Sequence, residues 1–472
     1  MTAFSLKNGA PLRDLLLCVL MLAPLAFGAV EPWAWGPLGL TAVLLLLAWA
    51  WERVRQGALR LVWSPVYLPA ALLFILVAVQ YSGRFTLDPI GSRESLLKLA
   101  AYYIIFFLAG QLWNPPSSIP SEGPSSSAAL GLPVTVYSFS MALFAILQFF
   151  SSHGLIYWVV RPRWGGWVFG PYVNHNHYAG LMEMLIPVSA AYVFSKIRVH
   201  RRARVSPVAT PLPAREPNTL VIRHSSHWVL FCFLVAVPIA SLLLSGSRGG
   251  LVALAAETGL MLPVLFVGSA YRPKPVLGAA LGLIGAAVMF CWLDPGGLSH
   301  RLASVARVGQ ASEATFGERK VVALDSLKMF RAHYLEGVGA GSFETAYPLY
   351  RSFPSDLDWG HAHNDYAEAL AETGLPGGLL ILAVLALFLP AAYHNFRTIQ
   401  RYHVARTGRL SVEGAWMRLG AAVGCCGLLV HSLFDFNLHI PANAAWFAFL
   451  AGIAVVHTRS SSQLAEASRP QA

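Results

Sequence analysis

The stretch GLPGGLLILAVLALFLPAAYH, residues 374–394, decides the fold class of this chain. It contains no Asp, Glu, Lys or Arg. As a helix it would be about 31 Å long, close to the thickness of the hydrocarbon core of a bilayer. Comparable apolar stretches recur from Leu15 to His457, in a chain of 472 residues that is 56% hydrophobic and only 12% charged. The sequence therefore predicts an integral membrane protein and argues against a soluble one.

Twelve apolar stretches, whose ends are approximate, are expected to cross the membrane. We predict an all-α fold, a polytopic transmembrane helical bundle of about twelve spans. The expected spans are residues 15–30, 37–51, 61–81, 95–113, 129–150, 178–197, 228–245, 250–270, 276–293, 374–394, 419–435 and 443–457. An even number of spans places both termini on the same side of the membrane.

The basic residues orient the predicted bundle, because cytoplasmic loops are enriched in Lys and Arg. With both termini inside, 21 of the 34 Lys and Arg fall on inner segments and 12 on outer ones. We therefore predict that both termini are cytoplasmic. These residues lie beside the spans, so topology and anionic membrane lipids account for the net charge of +11, and no nucleic-acid partner is expected.

Four segments follow one another along the predicted chain. Residues 1–150 hold the first five spans, 151–293 hold spans six to nine, 294–373 form a long outer loop, and 374–472 hold the last three spans. All five cysteines fall within predicted spans, so neither a disulfide framework nor a thiolate metal site is expected.

The long outer loop contains a predicted helix. Ala323, Leu327, Phe330 and Tyr334 recur at helical spacing, which indicates a partly amphipathic helix from about Glu318 to Tyr334. A glycine-rich turn, GVGAG at residues 337–341, ends this pattern. A loop of this size is large enough to cover a site.

The segment SGSRGG, residues 245–250, places Arg248 at an outer helix end among small residues. Glycines let a ligand approach the backbone closely, and the planar guanidinium can bind two phosphate oxygens at once. Arg248 is therefore a candidate anion-binding residue. The alternative is an arginine that anchors the helix end at the membrane surface.

The segment HAHNDYAEALAETGLPGG, residues 361–378, crowds ionisable residues at the start of a span, where they are costly. A histidine is suited to general-base catalysis at neutral pH, and a nearby carboxylate can orient its ring. The histidines of this segment, His361 and His363, are therefore candidate bases. Two alternatives are a zinc site formed by His361, His363 and Asp365, which we do not favour, and a polar helix start capped by Asn364 or Asp365.

Two further polar segments lie on the predicted outer face. NHNHYAG, residues 174–180, contains Asn176 and His177 next to aromatic residues that suit sugar faces or the interfacial aromatic belt. HSLFDFNLHIPANA, residues 431–444, contains Asp435, which we expect to be the partner of an outer-face arginine.

Together these segments resemble the O-antigen ligase and polymerase superfamily. SRGG at residues 247–250 is similar to the arginine motif of that family, and His363, Asn364, nine intervening residues and GLPG at 374–377 follow the ligase spacing. Arg319 precedes Gly337 by eighteen residues, as in the family's loop pattern, and NHNHYAG is similar to another family element. The resemblance covers about residues 165–450.

The resemblance implies a GT-C-like glycosyltransferase in the bacterial inner membrane, with its active site facing the periplasm. The implied reaction is a metal-independent, inverting transfer of glycan from undecaprenyl diphosphate to an acceptor hydroxyl. His363 would be the catalytic base, and Arg248 and Arg319 would stabilise the diphosphate. Supporting or substrate-binding positions would be Asn176, His177, His361, Asn364, Asp365 and Asp435. No cofactor and no metal are expected.

The acceptor stays open at this point: a lipid A core sugar, a growing glycan or a protein hydroxyl would each fit. The ligase spacing around His363 favours an O-antigen ligase, with an O-antigen or exopolysaccharide polymerase and a protein O-oligosaccharyltransferase as alternatives. A bicarbonate-type transporter is the alternative of another class, because twelve spans with both termini inside is also a transporter layout. Few ionisable residues lie at mid-membrane depth, however, where transport sites are usual.

Overall fold

The computed structural model describes residues 9–57, 59, 61–113, 128–162, 167–203, 226–267, 316–355, 359–405 and 409–456. The predicted span 276–293 and the first part of the predicted outer loop, 294–315, lie outside these residues. Within the described residues the fold is helical and no strand is present, apart from two isolated β-bridges. The all-α prediction is confirmed.

The described helices of more than eight residues are numbered here in chain order. They are α1 (Ala10–Leu22), α2 (Pro32–Arg55), α3 (Tyr67–Ser82), α4 (Pro89–Trp113), α5 (Gly131–Ser151), α6 (His175–Ala203), α7 (Ser226–Ser245), α8 (Arg248–Val267), α9 (Phe316–Ala332), α10 (Asp365–Ala405), α11 (Arg409–His431) and α12 (Pro441–Ala454). A four-residue helix, Phe343–Ala346, follows α9.

Six of the described helices are long and apolar enough to cross a membrane: α2, α4, α5, and parts of α6, α10 and α11. This agrees with a polytopic helical membrane protein, while the number twelve stays a prediction. The first expected span, residues 15–30, is wrong as a single helix. Helix α1 ends at Leu22, and two short 3-10 turns follow it, with Pro24 in the first and Gly28 at φ 77° in the second.

Helix α10 begins nine residues before the span expected to start at Gly374. Gly374 has φ 65° and ψ −167°, a non-helical backbone that divides α10 into two helices joined by a kink. Asp365, Glu368 and Glu372 therefore lie on the first turns of α10 and not in a loop that leads to it. The predicted span 419–435 ends earlier than expected, because α11 stops at His431.

The chain forms two compact units, each assembled from separate stretches. Unit 1 combines Met1–Ser127, Ala314–Thr398 and Leu429–Ala472. In it, α4 packs against α2, α3 and α12. The division into residues 1–150, 151–293, 294–373 and 374–472 follows the order of the chain, and it stays a prediction.

Unit 2 combines Ala128–Glu313 and Ile399–Leu428. Helix α6 contacts α5, α7 and α8, and 89% of its apolar window is buried. The apolar window of α10, in unit 1, is only 17% buried. Helix α10 therefore leaves most of its apolar surface uncovered, as expected of a helix that faces lipid.

The described part of the long loop has its own hydrophobic core, which lies in unit 1. Helix α9 contributes Val322 and Met329, and Tyr347 and Trp359 pack against them. The helix expected from Glu318 to Tyr334 is confirmed to within two residues at each end. Its expected apolar face is displaced, because Tyr334 is exposed whereas polar residues such as Asp325 are buried.

The hydrogen bonds of Asp325 explain why this polar residue lies on the buried face of α9. Its carboxylate accepts hydrogen bonds from the backbone N–H and the hydroxyl of Ser352, at 2.9 Å each, and from Lys328 at 2.7 Å. Burial raises the pKa of Asp325, but these donors outweigh it and lower the pKa below its ordinary value. A carboxylate whose oxygens are all hydrogen-bonded can occupy a buried position, and a prediction based on the spacing of apolar residues does not identify such a position.

Two glycine-rich turns join the loop core to α10. The backbone N–H of Val338 donates to Ala371 O at 3.0 Å, and the N–H of Leu375 donates to Tyr334 O at 2.7 Å. Gly337, at φ 66°, and Gly374 approach each other so closely that a Cβ on either would meet backbone atoms of the facing turn. The backbones of the GVGAG and GLPG segments are therefore in direct contact with each other.

Candidate functional site

The polar residues of segment 361–372 lie just before α10 and on its first turns, close to the turn before α12. Asn364 caps α10, because its side-chain oxygen accepts from the backbone N–H of Tyr366 at 3.1 Å and of Ala367 at 2.9 Å. Asp365 is not the cap. It is buried and accepts from the Ser432 hydroxyl at 2.6 Å.

His363 is paired with Asp435. Its Nδ1 lies 3.3 Å from Asp435 Oδ1, and its side chain is 15% exposed whereas that of Asp435 is 1% exposed. The backbone of His363 is left-handed, with φ 50°, a conformation that is uncommon outside glycine and frequent at functional sites. The arrangement is that of a histidine whose ring is oriented by a buried carboxylate, so that Nε2 is the nitrogen left to act on a substrate.

Arg319 joins the same carboxylate from the first turn of α9. Its Nη1 lies 3.9 Å from Asp435 Oδ2, the outer limit of an ion pair, and its side chain is 20% exposed. Its Nε is buried and has no hydrogen-bond partner among the described residues. Asp435 therefore lies between the candidate base and a candidate diphosphate-binding arginine, which are 44 positions apart in the sequence.

A second cluster contains His361, Glu368 and His439. His361 Nδ1 lies 2.7 Å from Glu368 Oε1, and His439 Nε2 lies 3.2 Å from the same oxygen. Burial by itself lowers the pKa of His439, but Glu368 and Asp365 outweigh it and raise that pKa to about 10. Within the described part of the chain, this is the one group of three potential metal ligands that lie close together.

Phe436 contacts both clusters. The His361 ring stacks on it, with centroids 4.4 Å apart, and the His363 ring meets it edge-on at 4.9 Å. The two histidines are thus separated, although they stand only two positions apart. The zinc set considered from the sequence, His361 with His363 and Asp365, is not the one that the structure brings together.

Glu368 and His439 are the site residues that sequence reasoning left out of the candidate set. Asp365, Glu368 and Glu372 follow one another at spacings of three and four, which places them on one helix face. The spacing of these carboxylates is informative only if the helix is known to begin at Asp365. His439 gave no comparable signal, because its partner is 71 positions away.

A cavity of about 890 Å³ lies beside the second cluster, in unit 1. Its polar end is lined by residues that include His361, Glu368 and His439, and its apolar remainder by side chains of α3, α4, α10 and α12 such as Phe106, Leu385 and Phe388. The cavity combines a few converging polar groups with a large apolar surface, as ligand sites do.

Arg248, Asn176 and His177 belong to unit 2. Ser247 caps α8, because its hydroxyl accepts from the backbone N–H of Gly250 at 3.1 Å, and Arg248 is exposed at the helix start. Trp167 lies against both the SGSRGG and the NHNHYAG segments. A Cβ on Gly246 would lie 2.7 Å from the Trp167 ring, and the His175 ring stacks on that ring with centroids 4.4 Å apart.

Asn176 and His177 are both buried in the first turn of α6. The backbone N–H of Asn176 donates to the side chain of Asn174 at 2.8 Å, so Asn174 caps this helix. Burial indicates that Asn176 and His177 support the start of α6. A direct part in substrate binding stays a prediction.

The fold and the site together define a polytopic helical membrane protein with a histidine–carboxylate–arginine group at helix ends. Residues 233–382 match the family model described as O-antigen ligase. The match includes Arg248, Arg319 and His363, and it confirms the resemblance to the O-antigen ligase and polymerase superfamily. No curated protein matches the chain.

Proposed function

We propose that the protein is a glycosyltransferase of the O-antigen ligase type, which transfers glycan from undecaprenyl diphosphate to an acceptor hydroxyl at the periplasmic face of the inner membrane. The observation that carries this proposal is the contact of Asp435 with both His363 and Arg319. One carboxylate thus contacts both a candidate base and a candidate phosphate-binding cation, and His363 and Arg319 lie in the segment that matches the O-antigen ligase family model.

His363 accepts the proton of the acceptor hydroxyl on Nε2, while Nδ1 is held by Asp435. The hydroxyl oxygen attacks the anomeric carbon as the bond from that carbon to the diphosphate oxygen breaks. The diphosphate leaves with the bonding electron pair, and attack from the opposite face inverts the anomeric centre. The buried Asp435 stabilises the imidazolium that forms.

Arg319 binds the leaving diphosphate in this proposal, and Arg248, which belongs to unit 2, stays a separately proposed phosphate-binding residue. Arg319 has one nitrogen directed at Asp435, which leaves other donors of its planar group for phosphate oxygens. Arg248 stands at the start of α8, where the helix dipole also favours an anion. The apolar uncovered surface of the helices suits the polyprenyl chain, and no cofactor is required.

The decisive test is replacement of His363 by alanine. Transfer from a lipid-linked donor should fall about 10²–10⁴-fold, the usual contribution of a general base. The protein should still insert, because His363 is partly exposed and lies at an element boundary. The control is His333→Ala, which removes another loop histidine that contacts Tyr350 and Glu336. Near-normal transfer by His363→Ala would reject the assignment.

The acceptor is identified by offering the purified protein lipid A core, lipid-linked glycan and a Ser- or Thr-containing protein with the same donor. The spacing of His363 and Asn364 before GLPG favours the ligase, so we expect transfer to lipid A core. Elongation of lipid-linked glycan alone would indicate a polymerase. Modification of the protein alone would indicate a protein O-oligosaccharyltransferase.

A transporter is the second candidate function, favoured by two buried carboxylates of unit 2. Glu183 of α6 and Glu257 of α8 are fully or almost fully buried within helices that resemble membrane spans. Ionisable residues at such positions commonly mark ion pathways. Flux of bicarbonate into proteoliposomes without any lipid-linked donor, lost in Glu257→Gln, would favour this candidate over the glycosyltransferase.

A further inference from the structure

The second cluster presents two imidazoles and one carboxylate to a common point. His361 Nδ1, Glu368 Oε1 and His439 Nε2 all lie within 4.8 Å of one another. They come from three different stretches: the segment before α10, the first turn of α10, and the turn before α12. Two His and one Glu are a donor set known from three-ligand zinc sites that keep an open fourth position.

The groups behind these donors are themselves fixed. His439 Nδ1 lies 2.8 Å from Asp365 Oδ1, so its Nε2 is directed toward Glu368. The remaining oxygen of Glu368 accepts from the backbone N–H of Ala362 at 2.7 Å. A carboxylate behind a ligating histidine, and a hydrogen bond behind a ligating carboxylate, are the supports that metal ligands usually have.

We propose that His361, Glu368 and His439 bind one divalent transition-metal cation, with Zn²⁺ as the best-matched ion. Around a tetrahedral zinc, with ligand distances of about 2.0–2.2 Å, neighbouring ligand atoms stand roughly 3.3 Å apart. The His439–Glu368 separation of 3.2 Å already fits. The His361–Glu368 separation is 2.7 Å and must widen, which the His361 side chain can supply because it is 34% exposed.

The donor chemistry selects the class of cation. Imidazole nitrogens suit Zn²⁺ and its transition-metal neighbours, whereas Mg²⁺ and Ca²⁺ prefer oxygen ligands. All three ligand residues line the 890 Å³ cavity, so the fourth position is available to water or to a ligand of that cavity. A bound ion would tie together three stretches, two of which carry His363 and Asp435. It takes no part in the proposed glycan transfer.

The test measures metal content without donor or acceptor, so its outcome is independent of the glycan-transfer proposal. The full chain is purified without a histidine tag, stripped with a chelator, dialysed against Zn²⁺ and then against metal-free buffer, and analysed by mass spectrometry for zinc. We expect one zinc per chain. His361→Ala and Glu368→Gln should each reduce retained zinc at least tenfold, and a large excess of Mg²⁺ should not displace it.

The matched control is His333→Ala, because His333 also faces a glutamate, Glu336, at 3.2 Å. It should retain one zinc. Co²⁺ provides a second measurement: the wild type should show the visible absorption of a tetrahedral Co²⁺ site, and His361→Ala should not. Wild-type protein that retains no zinc, or variants that retain as much as the wild type, would overturn the proposal.

Discussion

Replacing Gly374 by alanine should destabilise the loop core and the start of α10. The backbone at Gly374, with φ 65° and ψ −167°, occupies a region that is essentially restricted to glycine, and a side chain there costs about 1–3 kcal/mol. The new Cβ would also lie 2.5 Å from Leu335 O, a backbone atom that has little freedom to move. Overpacking of this kind costs a further 1–3 kcal/mol or so.

The two costs together amount to roughly 2–6 kcal/mol, a large part of the 5–15 kcal/mol or so that stabilises a typical folded protein. We therefore expect a clear fall in the thermal unfolding temperature of purified Gly374→Ala in detergent. Amide hydrogen exchange should show that the loss of protection begins at the Val338–Ala371 and Leu375–Tyr334 hydrogen bonds.

The control is Gly259→Ala, in the middle of α8, where a Cβ would meet no atom within 4 Å. Alanine is the better helix former by about 1 kcal/mol, so this variant should be neutral or slightly more stable. If Gly374→Ala unfolds at the same temperature as Gly259→Ala, the close approach of the two glycine turns does not contribute to stability as inferred here.

Two further predictions concern carboxylates of unit 1. Asp435→Asn should lower glycan transfer by about 10²–10⁴-fold, because it removes the charge that orients His363 and faces Arg319, while the exposed Glu344→Gln should leave transfer unchanged; equal activity of the two variants would contradict this. For Asp325, the folded pKa is depressed, so its stabilisation is present above the unfolded pKa of about 3.9 and is lost as the pH falls through the folded pKa. Unfolding temperatures of Asp325→Asn should accordingly depend less on pH below about pH 4 than those of the wild type, and parallel curves would count against the assignment.

Membrane helices were largely predictable because bilayer insertion depends on local hydropathy. The positions of α2, α4, α5 and α6 follow from apolar content alone. The ends of the helices were harder to predict than their positions. The sequence predicts that a span starts at Gly374, and the helical backbone does break there, at φ 65° and ψ −167°, so that two helices meet within the range of α10. The same glycine allows the close backbone contact with Gly337.

Local sequence patterns suggested candidate site residues, but they did not indicate which of these residues meet in the fold. His363, Asn364 and Arg319 were singled out because their spacings to GLPG and to Gly337 resemble those of the O-antigen ligase family. The pairing of Glu368 with His439 depends on how α10 meets the turn before α12, which no local pattern contains. The sequence pattern predicted the wrong buried face of α9 for a related reason. Asp325 is buried there because Ser352, 27 positions away, donates hydrogen bonds to its carboxylate.

The backbone at residue 363 determines whether His361 and His363 face one another. In an extended segment, side chains two positions apart point to the same side, and on that assumption His361 and His363 would be ligands of one ion. The left-handed conformation at His363 breaks the alternation. One ring then meets Asp435 and the other Glu368, with Phe436 in contact with both. A strained residue of this kind persists only when its surroundings fix it, and the cap formed by Asn364 immediately follows. The proposals that His363 takes up the proton and that His361 binds a metal therefore both depend on the left-handed backbone at His363.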